Sequence, residues 1–299
     1  MLPLPSEPGE GMVLVRMVRA PINPADLLAI EGRYAFGFEP DAPLGAEGVG
    51  IAHAVGRGVE AIRKGDVVLP LTRGNWCQYR LLGERDLIPV PRGIDIDQAA
   101  MLRINPITAR ILLDHVNLRE GDLLLQNGAG SAVATWVRFF AARRGIAVLD
   151  IVRSAKSELP KAIIEAPNLA ERVKVAAEGR PIVAALDSVA GEATGRLAEC
   201  LAPGGRLVLF GHLSGAPISV RSQLITGGGL MIVGFSLRPA EAVLGYQAVR
   251  RLFQELLAPR EGRLPTLPVQ QVFPLSEAQA AIATAREGGR GRILLDLTS

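Results

Sequence analysis

The residues best placed to do chemistry stand in one turn: Asn127-Gly128-Ala129-Gly130-Ser131-Ala132-Val133-Ala134, between an apolar run at 123–127 and a helical pattern at 133–144. Small side chains let a ligand reach the main chain, and the free N–H groups that open a helix favour an anion. A G-x-G alone equally fits a plain tight turn. Here a second apolar run, 146–152, follows the helix, so the turn lies inside a βαβ unit, the setting in which it holds a dinucleotide diphosphate. Gly128, Gly130, Ser131, Ala132 and Val133 are the expected contacts.

The end of that second run decides which dinucleotide. An acid there binds a ribose 2′-hydroxyl, and a base binds a 2′-phosphate. The chain has Asp150-Ile151-Val152-Arg153-Ser154-Ala155-Lys156. Asp150 falls inside the apolar run, with Arg153 at its tip and Lys156 close by. Guanidinium grips phosphate oxygens in bidentate fashion, so the set favours NADPH, the alternative being an ordinary basic loop. A slip of register would bring Asp150 to the ribose instead.

Metal chemistry finds little support. Cys77 and Cys200 are the only cysteines, far apart in sequence, and there are three histidines. Structural zinc needs about four ligands at close spacing. His212 follows a strand end, a place where α/β proteins bind ligands, but a chemical role for its imidazole is the weaker expectation.

The surrounding elements read as two kinds of structure. Residues 12–20 alternate apolar and polar as a strand does, a short helix opens at Pro24, and glycines recur from Gly45 to Gly93 between short β-rich pieces. From about residue 97 the pattern becomes helix and strand in turn: a helix over 97–117 interrupted at Pro106, strands at 123–127, 146–152, 182–187, 206–211 and 230–235, and a helix over 240–257. The tail adds a strand, a helix over 276–287 with Ser276 as N-cap, and the strand RILLDL. The fold class is α/β: a Rossmann-type doubly wound domain over 101–257, set into a β-rich domain made from 1–100 and 258–299. Hydrophobic residues are 48% and aromatics only 4%, which suits an aliphatic parallel-sheet core.

The motifs then resemble a known family. Ala20-Pro21-Ile22-Asn23-Pro24-Ala25-Asp26, Glu31-Gly32-Arg33-Tyr34 and Pro43-Leu44-Gly45-Ala46-Glu47-Gly48-Val49-Gly50 are similar to the opening of the quinone oxidoreductase-like branch of the medium-chain dehydrogenases/reductases. Gly74-Asn75-Trp76, Ile104-Asn105-Pro106-Ile107-Thr108-Ala109, Gln126-Asn127 and Ile151-Val152-Arg153 resemble the mitochondrial-type 2-enoyl thioester reductases more narrowly. The resemblance implies a GroES-like domain beside the Rossmann domain, with no zinc, since Ala46 stands where zinc-dependent relatives carry His. It also implies NADPH-dependent reduction of a 2-enoyl thioester by hydride transfer to the β-carbon, with Tyr34 polarising the thioester oxygen or supplying the proton. By the same match Asn23, Trp76 and Thr108 would meet substrate, although Asn23 with Asp26 also suits loop ordering and Trp76 equally suits core packing. Asn105, Thr108, Gly211, His212, Phe235, Ser236 and Arg292 would line the cofactor. The turn carries Ala132 and Ala134 where the family prefers glycine, and 157–181 is shorter than in relatives, so one βα element is expected to be trimmed.

Two other activities fit the same pattern: a quinone or enone reductase, and a nucleotide-binding protein with reduced or no catalysis. The net charge of +3 is scattered, with no long basic block, so no nucleic-acid partner is expected. No apolar run approaches the ~20 residues of a membrane span, and the first residues lack a secretory pattern. The expectation is a soluble, cytoplasmic protein, homodimeric by analogy, with 230–235 as the edge strand.

Overall fold

The computed structural model describes residues 7–33, 43–154, 159–258 and 263–299. β1 (Met12–Pro21) leads into α1 (Pro24–Ile30), which Pro24 opens and where the Asp26 carboxylate accepts the Asn23 N–H at 3.0 Å. β2 (Val49–Val55), β3 (Val67–Pro70), β4 (Tyr79–Gly83) and β5 (Leu87–Pro89) are short strands between turns. α2 (Ile96–Ala99) and α3 (Asn105–Val116) replace the single helix expected over 97–117. The break falls at 100–104, not at Pro106. Pro106 lies in the first turn of α3, where its missing N–H removes no helical bond.

The alternating part follows as β6 (Leu123–Gln126), α4 (Ala132–Ala142), β7 (Ala147–Val152), β8 (Ile163–Ile164), α5 (Leu169–Ala176), β9 (Ile182–Asp187), α6 (Glu192–Glu199), β10 (Arg206–Leu209), α7 (Ser222–Thr226) and β11 (Met231–Gly234). The helix expected over 240–257 is two, α8 (Leu237–Leu244) and α9 (Tyr246–Leu257), parted at Gly245, whose φ of 79° no helix accommodates. β12 (Val269–Pro274), α10 (Ala278–Glu287) and β13 (Arg292–Asp296) complete the chain. Ser276 is not the cap expected of it: it lies within a one-turn 3-10 helix, Leu275–Glu277, and α10 begins after it.

The chain divides into two compact units, Met1–Ile104 with Gln247–Ser299, and Asn105–Tyr246. The sequence placed these boundaries at 100/101 and 257/258. In the first unit the strands run β12-β13-β1-β2-β3-β5, with β4 also paired to β1. Among the described strands of this unit only β12 and β13 pair in parallel. Val13, Val15 and Met17 of β1 are fully buried with Val68, Leu87 and Leu295, so the strand alternation fixes which face becomes core.

The second unit is a parallel sheet in the order β11-β10-β9-β6-β7-β8. The chain starts at the centre, winds out through β7 and β8, then returns to wind the other way through β9, β10 and β11. That is the doubly wound order, and it reverses between β6 and β9, where ligands bind beyond the carboxyl ends of the strands. The shortened stretch leaves β8 as a two-residue strand, paired Ile151 to Ile163 and Val152 to Ile164.

Candidate functional site

At the reversal point the loops after β6 and β9 are tied together by buried polar groups. Asn127 Nδ2 donates to Asp187 Oδ1 at 2.6 Å, and Asn127 Oδ1 accepts the Ser188 N–H at 2.8 Å. The same Asp187 oxygen accepts the Val189 and Ala190 N–H groups at 2.9 and 3.0 Å, while Oδ2 accepts the Thr194 hydroxyl at 2.6 Å. Asp187 and Thr194 are wholly buried, so each acceptor must be met from within. Gly128 has φ 58°, and a Cβ there would lie 2.3 Å from the Ser188 hydroxyl oxygen. Glycine is therefore required where the turn passes this network.

The turn itself faces open space. A Cβ on Gly130 would meet nothing within 4 Å. The Gly130 N–H has no partner among the described residues. Ser131 is the N-cap of α4: its hydroxyl accepts the Ala134 N–H at 3.2 Å, and its own N–H is bound to the Gly128 carbonyl. Ser131 thus builds the turn, and Gly130, Ala132 and Val133 supply its outward N–H groups. Ala132 and Ala134, at the positions where glycine is usual, are both buried, Ala134 almost completely. Their methyls pack inward and leave the Gly130 side clear.

Asp150 is held within the second unit. Its Oδ1 accepts Gln126 Nε2 at 2.6 Å and Arg138 Nη1 at 3.0 Å. Arg153, three residues on, is exposed at the end of β7. The residues present thus fit a nicotinamide dinucleotide: outward N–H groups at a helix start, room beside Gly130, and an exposed guanidinium at the strand tip. Lys156 lies outside the described residues, as does Tyr34.

The remaining residues expected near the cofactor in this unit sit as follows. Asn105 and Thr108 are both buried, one turn apart on α3, and the Asn105 Nδ2 has no partner among the described residues. Gly211 passes so close to the loop after β9 that a Cβ would stand 2.5 Å from the Ser188 carbonyl oxygen. His212 follows it, exposed. Phe235 meets His115 edge-on at 6.0 Å, and Ser236 is the N-cap residue of α8.

In the first unit the sequence motifs converge on a buried cluster that sequence reasoning did not foresee. Glu47 is fully buried: its Oε1 accepts Asn23 Nδ2 at 3.0 Å, and its Oε2 accepts the Arg103 and Ile104 N–H groups at 3.0 and 2.8 Å. Burial pushes the Glu47 carboxyl up to about 7, against these hydrogen bonds and the pull of Arg292. Arg292 Nη2 donates to Asn23 Oδ1, and the Arg292 Nε is buried without a partner among the described residues. Asn23, expected to touch substrate, has both ends of its amide engaged by Glu47 and Arg292. Asp26 is also buried, accepting the Ala46 N–H at 2.8 Å and Arg73 Nη2 at 3.4 Å, and burial raises its carboxyl too.

Arg292 also lines a cavity of about 100 Å³ with Ile22, Pro24, Leu27, Gln270 and Thr284, too small for a nucleotide. Trp76 packs against the core of the first unit, its ring against Gly45, where a φ of 103° and a Cβ that would lie 2.5 Å from Trp76 Cδ1 exclude a side chain. The one hint of the cluster available in sequence was the occurrence of Asn23, Asp26 and Glu47 in two short motifs.

Comparisons with known proteins agree with this architecture. Residues 9–100 match the family Alcohol dehydrogenase GroES-like domain. The mitochondrial enoyl-[acyl-carrier-protein] reductase of Dictyostelium discoideum is 30% identical over 95% of this chain and 86% of its own length, and that of Homo sapiens 31% over 90% and 76%. A Bacillus thuringiensis structure described as an NADPH:quinone reductase superposes with a TM-score of 0.84 at 29% identity, over 98% of this chain and 92% of that one. The chain belongs to the medium-chain dehydrogenase/reductase superfamily, whose members among its relatives are oxidoreductases.

The same relatives correct one expectation. A cytoplasmic protein was expected, whereas the similar enzymes from slime mould, human and Arabidopsis thaliana are mitochondrial. No helix among the described residues is long and apolar enough to cross a membrane, and that does not discriminate among compartments.

Proposed function

We propose that the protein is an NADPH-dependent, zinc-independent reductase of the carbon–carbon double bond in 2-enoyl thioesters. One observation carries the choice of cofactor: Asp150 is held by Gln126 and Arg138, while Arg153 stands exposed at the strand tip. An acid that is largely buried and already paired with Arg138 is poorly placed for a ribose hydroxyl, and an exposed guanidinium suits a 2′-phosphate. Bound NADPH supplies the hydride that reaches the β-carbon. Gly130, Ala132 and Val133 hold the diphosphate by backbone N–H groups, with Arg153 and Lys156 at the 2′-phosphate. Negative charge gathers on the thioester oxygen as the β-carbon is reduced, and Tyr34 donates to that oxygen or supplies the proton that the α-carbon takes. Kinship with enoyl-[acyl-carrier-protein] reductases supports the substrate class.

The test compares NADPH oxidation with a 2-enoyl-CoA and with a simple quinone. Turnover of the thioester is expected, and Tyr34→Phe should lower kcat with little change in NADPH affinity. Turnover of quinone alone would move the protein to the quinone reductase reading that the Bacillus thuringiensis likeness favours. Tight NADPH binding with no turnover on either would leave a nucleotide-binding protein. We further propose a homodimer formed through the exposed edge of β11.

A further inference from the structure

Arg138 lies on α4, one helical turn beyond the cap region of the cofactor turn, and its guanidinium makes three bonds at once. Nη1 donates to the Ala129 carbonyl at 2.9 Å and to Asp150 Oδ1 at 3.0 Å, and Nη2 donates to the Thr135 hydroxyl at 3.0 Å. That hydroxyl in turn donates to the Ser131 carbonyl at 3.2 Å. Two carbonyls of the turn, those of Ala129 and Ser131, are thus drawn back toward α4 by one connected set of side chains.

The consequence follows from peptide geometry. The described peptide bonds are trans, so the N–H of each residue points opposite to the carbonyl before it. Drawing the Ala129 carbonyl inward turns the Gly130 N–H outward, and drawing the Ser131 carbonyl inward does the same for Ala132. These are the donors a diphosphate would meet. The Arg138 charge is matched by Asp150, and Asp150 is fixed in turn by Gln126 at 2.6 Å, so the guanidinium serves as a three-pronged brace and not as an anion ligand.

We propose that Arg138 is the positioning residue of the cofactor turn, bracing the Ala129 carbonyl against Asp150 and Thr135 so that the Gly130 N–H is aimed at the dinucleotide diphosphate. The brace also accounts for a turn that carries alanine at 132 and 134: its shape is held by a side chain from behind as well as by small residues in front. The proposal rests on the reading of this turn as the dinucleotide site.

The test uses the full chain and equilibrium binding of NADPH, NADH and adenosine 2′-monophosphate. Removing Arg138 alone would strand the Asp150 carboxylate, so the variant of choice is the double substitution Arg138→Met with Asp150→Asn, which leaves no unmatched charge. Its Tm should stay near that of the wild type. NADPH and NADH should both weaken about tenfold, the scale of one misaligned hydrogen bond to a charged group. Adenosine 2′-monophosphate carries no diphosphate and should keep its affinity. Asp150→Asn alone, which retains the guanidinium on Ala129, should lose less.

NADPH binding by the double variant within twofold of wild type would overturn the brace. So would equal loss of all three ligands, which marks a general disturbance of the unit. Failure of the wild type to bind either dinucleotide would instead overturn the cofactor reading and the brace together.

Discussion

Arg153 and Asp150 are three residues apart and carry opposite charge, and on sequence alone either could have met the ribose. Their surroundings separate them: Asp150 already has two donors, and Arg153 reaches solvent. Arg153→Ala should therefore weaken NADPH at least tenfold while leaving NADH nearly unchanged, as fluorescence titration of both would read. Equal loss of the two would detach Arg153 from the 2′-phosphate. Asp187 is a different kind of residue, whose carboxylate accepts four hydrogen bonds inside the second unit. Asp187→Ala leaves those donors unmet in a buried place and should cost about 3 kcal/mol, measured by urea unfolding. An unchanged midpoint would show that the loops after β6 and β9 are held by other means.

At the scale of elements, the second unit is governed by its strand order. β6 and β9 are central neighbours, and the polar residues that follow them meet because parallel strands end on the same side. β11 is the opposite case. Among the described residues it pairs only with β10, and Met231 on it is 44% exposed. An open edge of this kind invites a second copy, and a lysine there is the usual deterrent. Met231→Lys should convert the proposed homodimer to a monomer in sedimentation velocity with the fold intact by circular dichroism. A wild type that sediments as a monomer at every concentration would remove the dimer.

For the molecule as a whole, Glu47 links pH to stability. It holds the N–H groups of Arg103 and Ile104, the last residues of the first unit before the chain enters the second. Its folded carboxyl titrates near 7, above the ordinary 4.5. A raised carboxyl means that the folded state binds the proton more tightly. The stability this proton brings is complete below about 4.5 and is lost as pH rises through 7. The wild type should therefore lose up to about 3 kcal/mol from this group between pH 5 and pH 8. Glu47→Gln should flatten that slope, and parallel profiles for the two proteins would show that the group does not titrate there.

The one-dimensional pattern was enough for the two kinds of structure and for the turn at 128–133, because strand alternation, βαβ spacing and small-residue turns are local properties of the chain. It also carried the family, through motifs such as Asn105-Pro106-Ile107-Thr108-Ala109. Helix ends were less legible: Gly245 breaks a smooth amphipathic pattern through one backbone angle, and Ser276 is passed over as a cap by a 3-10 turn. The partners of buried polar groups were not legible at all. Asn23 meets Glu47 and Arg292 across 24 and 269 residues, and Arg138 meets Asp150 across strand and helix. Such pairings are set when strands and helices pack, since only then does a desolvated charge find the donor it requires. The sequence by itself thus determined the small-residue turn proposed to hold a dinucleotide, and only the tertiary structure decided that Asp150 is paired with Arg138 while Arg153 is exposed.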